Sequence, residues 1–87
     1  MKKLYIIHEF NLRDKYYNIC QRAFDDFLSA EHYVEKEIIP KIKKGITLWC
    51  QNVHFDIQKT QEEWGIKVYS DSTLIESIYI QIYTVCL

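Results

Sequence analysis

Apolar residues in the first half of the chain recur at steps of three and four, the spacing that places side chains on one face of a helix. Asn11 precedes this run and is a residue type that favours helix N-termini. The members of the stripe are Leu12, Tyr16, Ile19, Ala23, Phe27, Ala30, Val34 and Ile38. The pattern predicts one long amphipathic helix. A strand over 16–24 is the competing interpretation, although alternation fits those residues less well.

Pro40 interrupts the helical pattern. A proline lacks the backbone N–H that a helix uses and disfavours helical geometry at the residue before it, so the helix should end or kink near this position. Beyond it, apolar residues again step by four, three and four, at Ile42, Ile46, Trp49 and Val53. This spacing predicts a second helix directly after the first.

Strands are predicted on both sides of the helical region. Residues 3–10 are rich in β-branched and aromatic types and form the first strand. After His54 apolar residues alternate with polar ones in three further runs, separated by polar turns at 60–63 and 70–73. We therefore expect one α+β domain over residues 1–87, in the order β-α-α-β-β-β, with the helices packed on one face of an antiparallel sheet.

The last predicted strand differs from the others because both of its sides are apolar or aromatic. Its isoleucines at 78, 80 and 82 alternate with Tyr79, Gln81 and Tyr83. Such a strand is either central and covered on both faces, or one that pairs with another molecule.

Composition narrows the class of protein. The 87 residues include 48% hydrophobic ones, enough for a core, and the formal net charge is −1 with a pI of about 6.3. This charge creates no general attraction to nucleic acid or anionic membranes. Three cysteines without close spacing, no secretory signal and no long apolar stretch lead us to expect a soluble cytoplasmic protein without a membrane span.

The sequence offers little that could carry catalysis or hold a metal. Cys50 and His54 are four residues apart, but a structural zinc site normally needs four ligands in two close pairs. The chain has two glycines, neither in a glycine-rich turn, so a loop that cradles phosphate is excluded. Cysteine catalysis lacks a local signature as well. We expect no metal, no cofactor and no enzymatic activity.

Two groups of residues are candidates for contact with a partner. One is a lysine cluster with a nearby tryptophan, which comprises Lys36, Lys41, Lys43, Lys44 and Trp49. The dipole of a helix favours lysines near its C-terminus, so the cluster has an explanation that needs no partner. We therefore do not expect nucleic acid to be the partner. The other group is drawn from the seven tyrosines, because tyrosine and tryptophan are enriched at protein interfaces.

Five tyrosines are selected as interface candidates. Tyr5, Tyr79 and Tyr83 would share a sheet face if the first and last strands pair, and Tyr17 and Tyr33 would flank the helix. Seven tyrosines and two tryptophans are hard to hide in a domain of 87 residues, so some of them should lie on a contact surface.

Taken over its full length, the chain resembles the small accessory proteins of phages and prophages, including anti-CRISPR and other anti-defence proteins. The resemblance rests on a short single domain, a composition rich in Ile, Lys, Tyr and Asn, a β-α-β-β-β order and the lack of a catalytic motif. It is a resemblance of type and carries over no site residue. It implies a stoichiometric inhibitor that occupies a surface or channel of a host defence complex, or that sequesters its signal molecule.

Three functions follow as hypotheses. The first is a non-enzymatic binding protein, most concretely an anti-CRISPR-like inhibitor of a bacterial defence nuclease complex. The second is a small homo-oligomer, a dimer for example, that binds a nucleotide or other small ligand and extends its sheet through the last strand. The third is a nucleic-acid-binding regulator that uses the lysine cluster.

Overall fold

The structure is a computed structural model that describes residues 2–12 and 15–87. Its main element is a five-stranded antiparallel sheet with the strand order β2-β1-β5-β4-β3. The strands are β1 (Lys3–Asn11), β2 (Tyr16–Phe24), β3 (Val53–Lys59), β4 (Glu63–Ser70) and β5 (Thr73–Cys86). The long strand β5 therefore lies at the centre, and β2 and β3 form the two edges.

One helical run connects β2 to β3. It consists of α1 (Phe27–Tyr33), a π-helical segment (Val34–Ile38) and α2 (Ile39–Thr47). Asp26 caps its start, because its carboxylate accepts hydrogen bonds from the backbone N–H and the hydroxyl of Ser29 at 2.8 and 2.9 Å.

The π-helical segment explains how Pro40 is tolerated inside this run. The backbone N–H of Ile39 donates to the carbonyl of Val34, five residues back, so the turn just before the proline is widened. A proline would otherwise clash with the carbonyl four residues before it. The helix is thus continuous through Pro40, and the two helices predicted from the sequence form one run from 27 to 47.

The core lies between this helical run and one face of the sheet. Alternate residues of the central strands point toward the helices and are buried, which is the expected consequence of the two-residue period of a strand. The buried residues are Ile7, Phe24, Ala30, Val34, Ile39, Ile46, Trp64, Ile66, Val68, Ile78, Ile80 and Ile82. The general prediction of an α+β domain with helices on one face of an antiparallel sheet is confirmed.

The predicted order of elements is wrong in its first half. Residues 16–24 form the edge strand β2, so the order is β-β-α-β-β-β, and the helix begins at Phe27 rather than after Asn11. The strand named as the competing interpretation is correct. In contrast, the predicted turn at 70–73 is confirmed, and positive φ angles at Asp71 and Ser72 give the twist that a two-residue hairpin needs.

The position of β5 decides between the two interpretations of the last strand. β5 pairs with β1 through residues 78–86 and with β4 through residues 73–81, so it is the central strand of the sheet. The oligomer hypothesis expected β5 to pair with a second copy across a twofold axis. This pairing is excluded where β1 and β4 already occupy both sides of the strand.

Candidate functional site

The sheet has a second face, turned away from the helices, which we call the open face. Ile78, Ile80 and Ile82 point into the core, so the residues between them point outward. The register of β1 and β5 places Phe10 opposite Tyr79 on this outward side. It also places His8 opposite Gln81 and Ile6 opposite Tyr83. No helix or strand of the described residues covers this face.

Four rings on the open face contact one another, and we call them the aromatic cluster: His8, Phe10, Tyr17 and Tyr83. The His8 ring centroid lies 4.3 Å from that of Tyr83 and 5.4 Å from that of Tyr17, and Phe10 lies 6.4 Å from Tyr17. Tyr17 and Tyr83 remain 53% and 45% exposed. The cluster is thus held by its own contacts and still presents its rings to solvent.

Hydrogen bonds fix the polar tips of the aromatic cluster. Nδ1 of His8 and the hydroxyl of Tyr17 form one hydrogen bond, and the hydroxyl of Tyr83 donates to Oε1 of Gln81. Partial burial lowers the pKa of His8, so its imidazole is neutral at neutral pH. The cluster therefore combines apolar area with satisfied polar groups.

The other half of the open face, formed by β3 and β4, is polar. Asp56 pairs with Lys67 across the strands, and Glu63 stands opposite Gln81. Tyr79 joins the two halves: its ring lies over Gly65, where an added Cβ would meet the ring at 3.6 Å. The open face thus has an aromatic half and a polar half.

A second candidate site lies on the helix side of the sheet. It is a groove of about 730 Å³ between the helical run and strands β1 and β2, and we call it the groove. Its apolar lining includes Ile7, Ile38 and Ile42. Its polar lining comprises Glu9, Asn18, Arg22, Glu37 and Lys41. A cavity of this size, with apolar walls and a few converging polar groups, is typical of small-molecule sites.

Two of the groove's charged groups are unusually placed. Burial raises the pKa of Glu9, although a hydrogen bond with Asn18 and the charge of Lys41 both act to lower it. Arg22 lies with its guanidinium carbon 4.8 Å from the ring centroid of Phe24 and 5.5 Å from that of Tyr33. Both groups are held against apolar neighbours at the edge of a cavity, a setting common in functional sites.

The structure places the predicted tyrosines on both faces of the sheet. Tyr17, Tyr79 and Tyr83 lie together on the open face, and β1 does pair with the last strand as anticipated. Tyr5 lies on the opposite face, because it stands opposite Thr84 and packs edge-on against Phe27. Its grouping with Tyr79 and Tyr83 is therefore wrong.

The remaining tyrosines do not flank a helix as a pair. Tyr33 ends α1, packs on Phe24 and lines the groove. Tyr17 is on strand β2 and belongs to the aromatic cluster.

The lysine cluster does not form a single surface. Lys41 lines the groove beside β1 and β2, whereas Lys43 lies over the ring of Phe55, which belongs to the opposite edge strand. Lys36 and Lys44 are exposed at other positions of the helical run. Trp49 follows α2 and is 62% exposed. Lys41 and Lys43 are thus placed toward opposite edges of the sheet.

Several site residues were absent from the sequence-based selection, namely His8, Glu9, Phe10, Asn18 and Arg22. Glu9 carried a usable signal, because alternation places it on the same side of the first strand as Ile7, the buried side. No signal in the sequence identified Asn18 and Arg22, because their segment was assigned to a helix.

The described residues contain neither a group of metal ligands nor a helix that could span a membrane. Within residues 2–12 and 15–87, no three His, Cys, Asp or Glu side chains come together to hold a metal ion. Cys50 lies in the connection after α2 and His54 lies on β3, where its ring is 6.4 Å from that of Tyr69. No helix in this part of the chain has the length and apolarity needed to cross a bilayer.

A scan against protein-family models gave no match, and neither the curated proteins nor the solved structures included a similar one. The open face and the groove are therefore the features of this chain that indicate a function.

Proposed function

We propose that this protein is a non-enzymatic binding protein that attaches to a protein partner through the open face of its sheet. The observation that carries the proposal is the aromatic cluster, in which Tyr17 and Tyr83 stay about half exposed on a face that no described element covers. Exposed tyrosines held rigidly on a sheet are typical anchors of protein interfaces, since they bury a large area at low entropic cost.

The size of the open face fits such a role. The five strands contain 9, 9, 7, 8 and 14 residues. At about 4.8 Å between strands and about 3.3 Å per residue, they give a flat footprint on the order of 700 Å². A standard interface takes roughly 800 Å² from each partner, and side chains add to the flat area. The aromatic half supplies an apolar centre, and the polar half supplies part of the rim, the usual arrangement of an interface.

Charge indicates the chemistry of the partner. Residues 45–87, which include β3, β4 and β5, carry two lysines against five acidic residues. The polar half of the open face carries two acidic residues, Asp56 and Glu63, against one basic residue, Lys67. A complementary partner has apolar side chains framed by basic ones, as nucleic-acid-binding surfaces do. We therefore propose a bacterial defence nuclease complex as the partner, with this protein as its stoichiometric inhibitor, in the manner of an anti-CRISPR protein.

The test compares two open-face variants with a matched aromatic control. Tyr17→Ser and Tyr83→Ser remove anchors of the aromatic cluster, and Trp49→Ser removes a ring outside the open face that is at least as exposed. Each tagged protein is incubated with purified CRISPR nuclease complexes, and binding and target cleavage are measured. We expect wild type and Trp49→Ser to bind and inhibit one complex stoichiometrically, with each tyrosine variant weakened about tenfold or more.

Two results would contradict the proposal. Loss of binding in Trp49→Ser, with both tyrosine variants unaffected, would place the interface at the end of the helical run. No binding to any defence complex would remove the proposed partner class. Circular dichroism of each variant shows that a loss of binding does not result from unfolding.

A further inference from the structure

The groove lies on the opposite side of the sheet from the open face, so it is free for a role of its own. Three helix residues, Tyr33, Glu37 and Lys41, follow one another at steps of four along one wall, a span of about 12 Å. Arg22, Cys20 and Asn18 alternate along the β2 wall over a similar length. The groove is therefore a slot with distinct chemistry at each end.

One end suits an anionic group. Arg22 is held over the rings of Phe24 and Tyr33, and it forms no ion pair with any residue of the described chain. A guanidinium in this position keeps its planar set of N–H donors while losing little freedom when it binds. Phosphate is one of the two groups, with carboxylate, that such a fork binds through paired hydrogen bonds.

The other end presents an acceptor and a donor side by side. Glu9 is half-buried next to Lys41, close enough for the lysine charge to act on the carboxylate. A carboxylate accepts two neighbouring N–H groups, and an ammonium donates to a carbonyl oxygen. The pairing edge of guanine carries one carbonyl followed by two N–H donors, which matches this pair. Adenine places a ring nitrogen acceptor where the carboxylate needs a donor.

The middle of the slot links the two ends. Glu37 lines it from the helix wall, and a carboxylate at this position can accept hydrogen bonds from ribose hydroxyls, as acidic residues do in nucleotide sites. Ile7, Ile38 and Ile42 supply apolar contacts for the faces of a base. Phosphate, sugar and base thus each meet suitable groups in the order in which a nucleotide carries them.

We propose that the groove binds a guanine nucleotide, with its phosphate at Arg22, its ribose along Glu37 and its base at Glu9 and Lys41. The site is independent of the protein contact proposed for the open face. Because the two lie on opposite faces of the sheet, each proposal is tested separately.

The experiment is a titration of the ¹⁵N-labelled full chain with GMP, guanosine, AMP and inorganic phosphate, followed by NMR. We expect GMP to shift amides that line the groove in a saturable manner, and to bind about tenfold or more tightly than AMP or phosphate. Glu9→Gln should weaken GMP and guanosine alike, because its amide has one acceptor where the carboxylate has two. Arg22→Gln should weaken GMP and leave guanosine unchanged.

Lys67→Gln, on the open face, is the matched control and should bind all four compounds like wild type. A GMP titration without saturable shifts in the groove would overturn the site. Equal affinity for AMP and GMP would overturn the guanine assignment, and equal affinity for phosphate and GMP would overturn recognition of the base. If Glu9→Gln has the same affinity for GMP as Lys67→Gln, the proposed role of Glu9 is wrong.

Cys20 offers a second, independent measurement, because it lines the groove while Cys50 and Cys86 do not. In a Cys50→Ala, Cys86→Ser background, GMP should slow the alkylation of Cys20 by iodoacetamide with the same concentration dependence as the NMR shifts. Alkylation that is unaffected at GMP concentrations that saturate the NMR shifts would place the nucleotide outside the groove.

Discussion

The carboxylate of Glu9 lies on the same side of β1 as Ile7, the side that faces the core. Burial raises its pKa, so the folded state holds its proton more strongly than the unfolded chain does. Stability from this group is therefore greatest below the unfolded pKa of about 4.5 and falls as pH rises through the folded value. At neutral pH the charged Glu9 is a cost to folding, and such costs are common where a residue serves binding.

Replacing this carboxylate with an amide tests whether the charge of Glu9 lowers the stability of the fold at neutral pH. We expect Glu9→Gln to raise the free energy of unfolding at pH 7 by less than about 1 kcal/mol, because the half-exposed group is screened by solvent. The difference should vanish near pH 4. Urea denaturation at both pH values measures it. Glu37→Gln, an exposed change in the same groove, should show no such gain, and a Glu9→Gln protein less stable than wild type at pH 7 would refute the argument.

The residues of the two sites were predictable to different degrees. The open face was partly anticipated, because tyrosine composition and strand alternation identified Tyr83 of the aromatic cluster and Tyr79 beside it before the fold was known. The partner of these rings on β2, Tyr17, was selected but assigned to a helix. The groove was not anticipated, since it exists only where the helical run crosses β1 and β2, and sequence spacing does not report such a crossing.

At the scale of elements, the start of the helical run depends on Asp26. Hydrogen bonds from the backbone and side chain of Ser29 lower the pKa of Asp26, so its stabilising effect is present above the unfolded pKa of about 3.8 and lost as pH falls through the folded value. Asp26→Ala should therefore lower the melting temperature at pH 7, and the difference from wild type should shrink in acid.

The neighbouring residue provides the control for the cap. Asp25→Ala removes the same charge one position earlier, where no helix N–H is capped, and should leave the melting temperature nearly unchanged. Thermal melts followed by circular dichroism compare the two variants. Equal effects of Asp25→Ala and Asp26→Ala would show that charge near the helix start, rather than the cap itself, is what matters.

The wrong helix over 12–24 has a physical cause. β2 pairs with β1 across an irregularity, in which Ala23 stands opposite Ile6 and Ile19 opposite His8, so β2 holds two extra residues there. Apolar residues also occur on both faces of β2, since Ile19 and Ala23 stand opposite the open-face residues His8 and Ile6 while Phe24 stands opposite Tyr5. The two-residue period of a strand is therefore obscured, and the steps of three and four resemble a helix. The true helix start carried one signal of its own, because aspartate, which stands at position 26, is among the residue types preferred at the N-cap.

At the scale of the whole molecule, one small core on one face of the sheet must hold five strands together. A chain of 87 residues is expected to have a free energy of unfolding of roughly 4–13 kcal/mol. Among the described residues, the core is formed by 12 buried ones that are all hydrophobic, with β5 contributing three of them. Because β5 is central and pairs with two neighbours, loss of packing on this strand affects both halves of the sheet.

Ile80 is the position of β5 at which a loss of packing should lower the stability of the sheet most. It is fully buried at the middle of β5, so Ile80→Ala should lower the free energy of unfolding by about 2–5 kcal/mol through lost apolar burial and a residual cavity. Ile80→Val, expected to cost about 0.5–1.5 kcal/mol, keeps the comparison measurable if the alanine variant does not fold.

Ile19→Ala is the matched control. The isoleucine at this position of the edge strand is 48% exposed, so its replacement should lower the free energy of unfolding by less than about 1 kcal/mol. Urea denaturation of the three variants, monitored by tryptophan fluorescence, gives the values, and Trp64 reports from within the core. Similar losses for Ile80→Ala and Ile19→Ala would mean that stability is spread evenly over the sheet. The edge strand that borders the groove would then be as firmly held as the centre, contrary to the burial pattern.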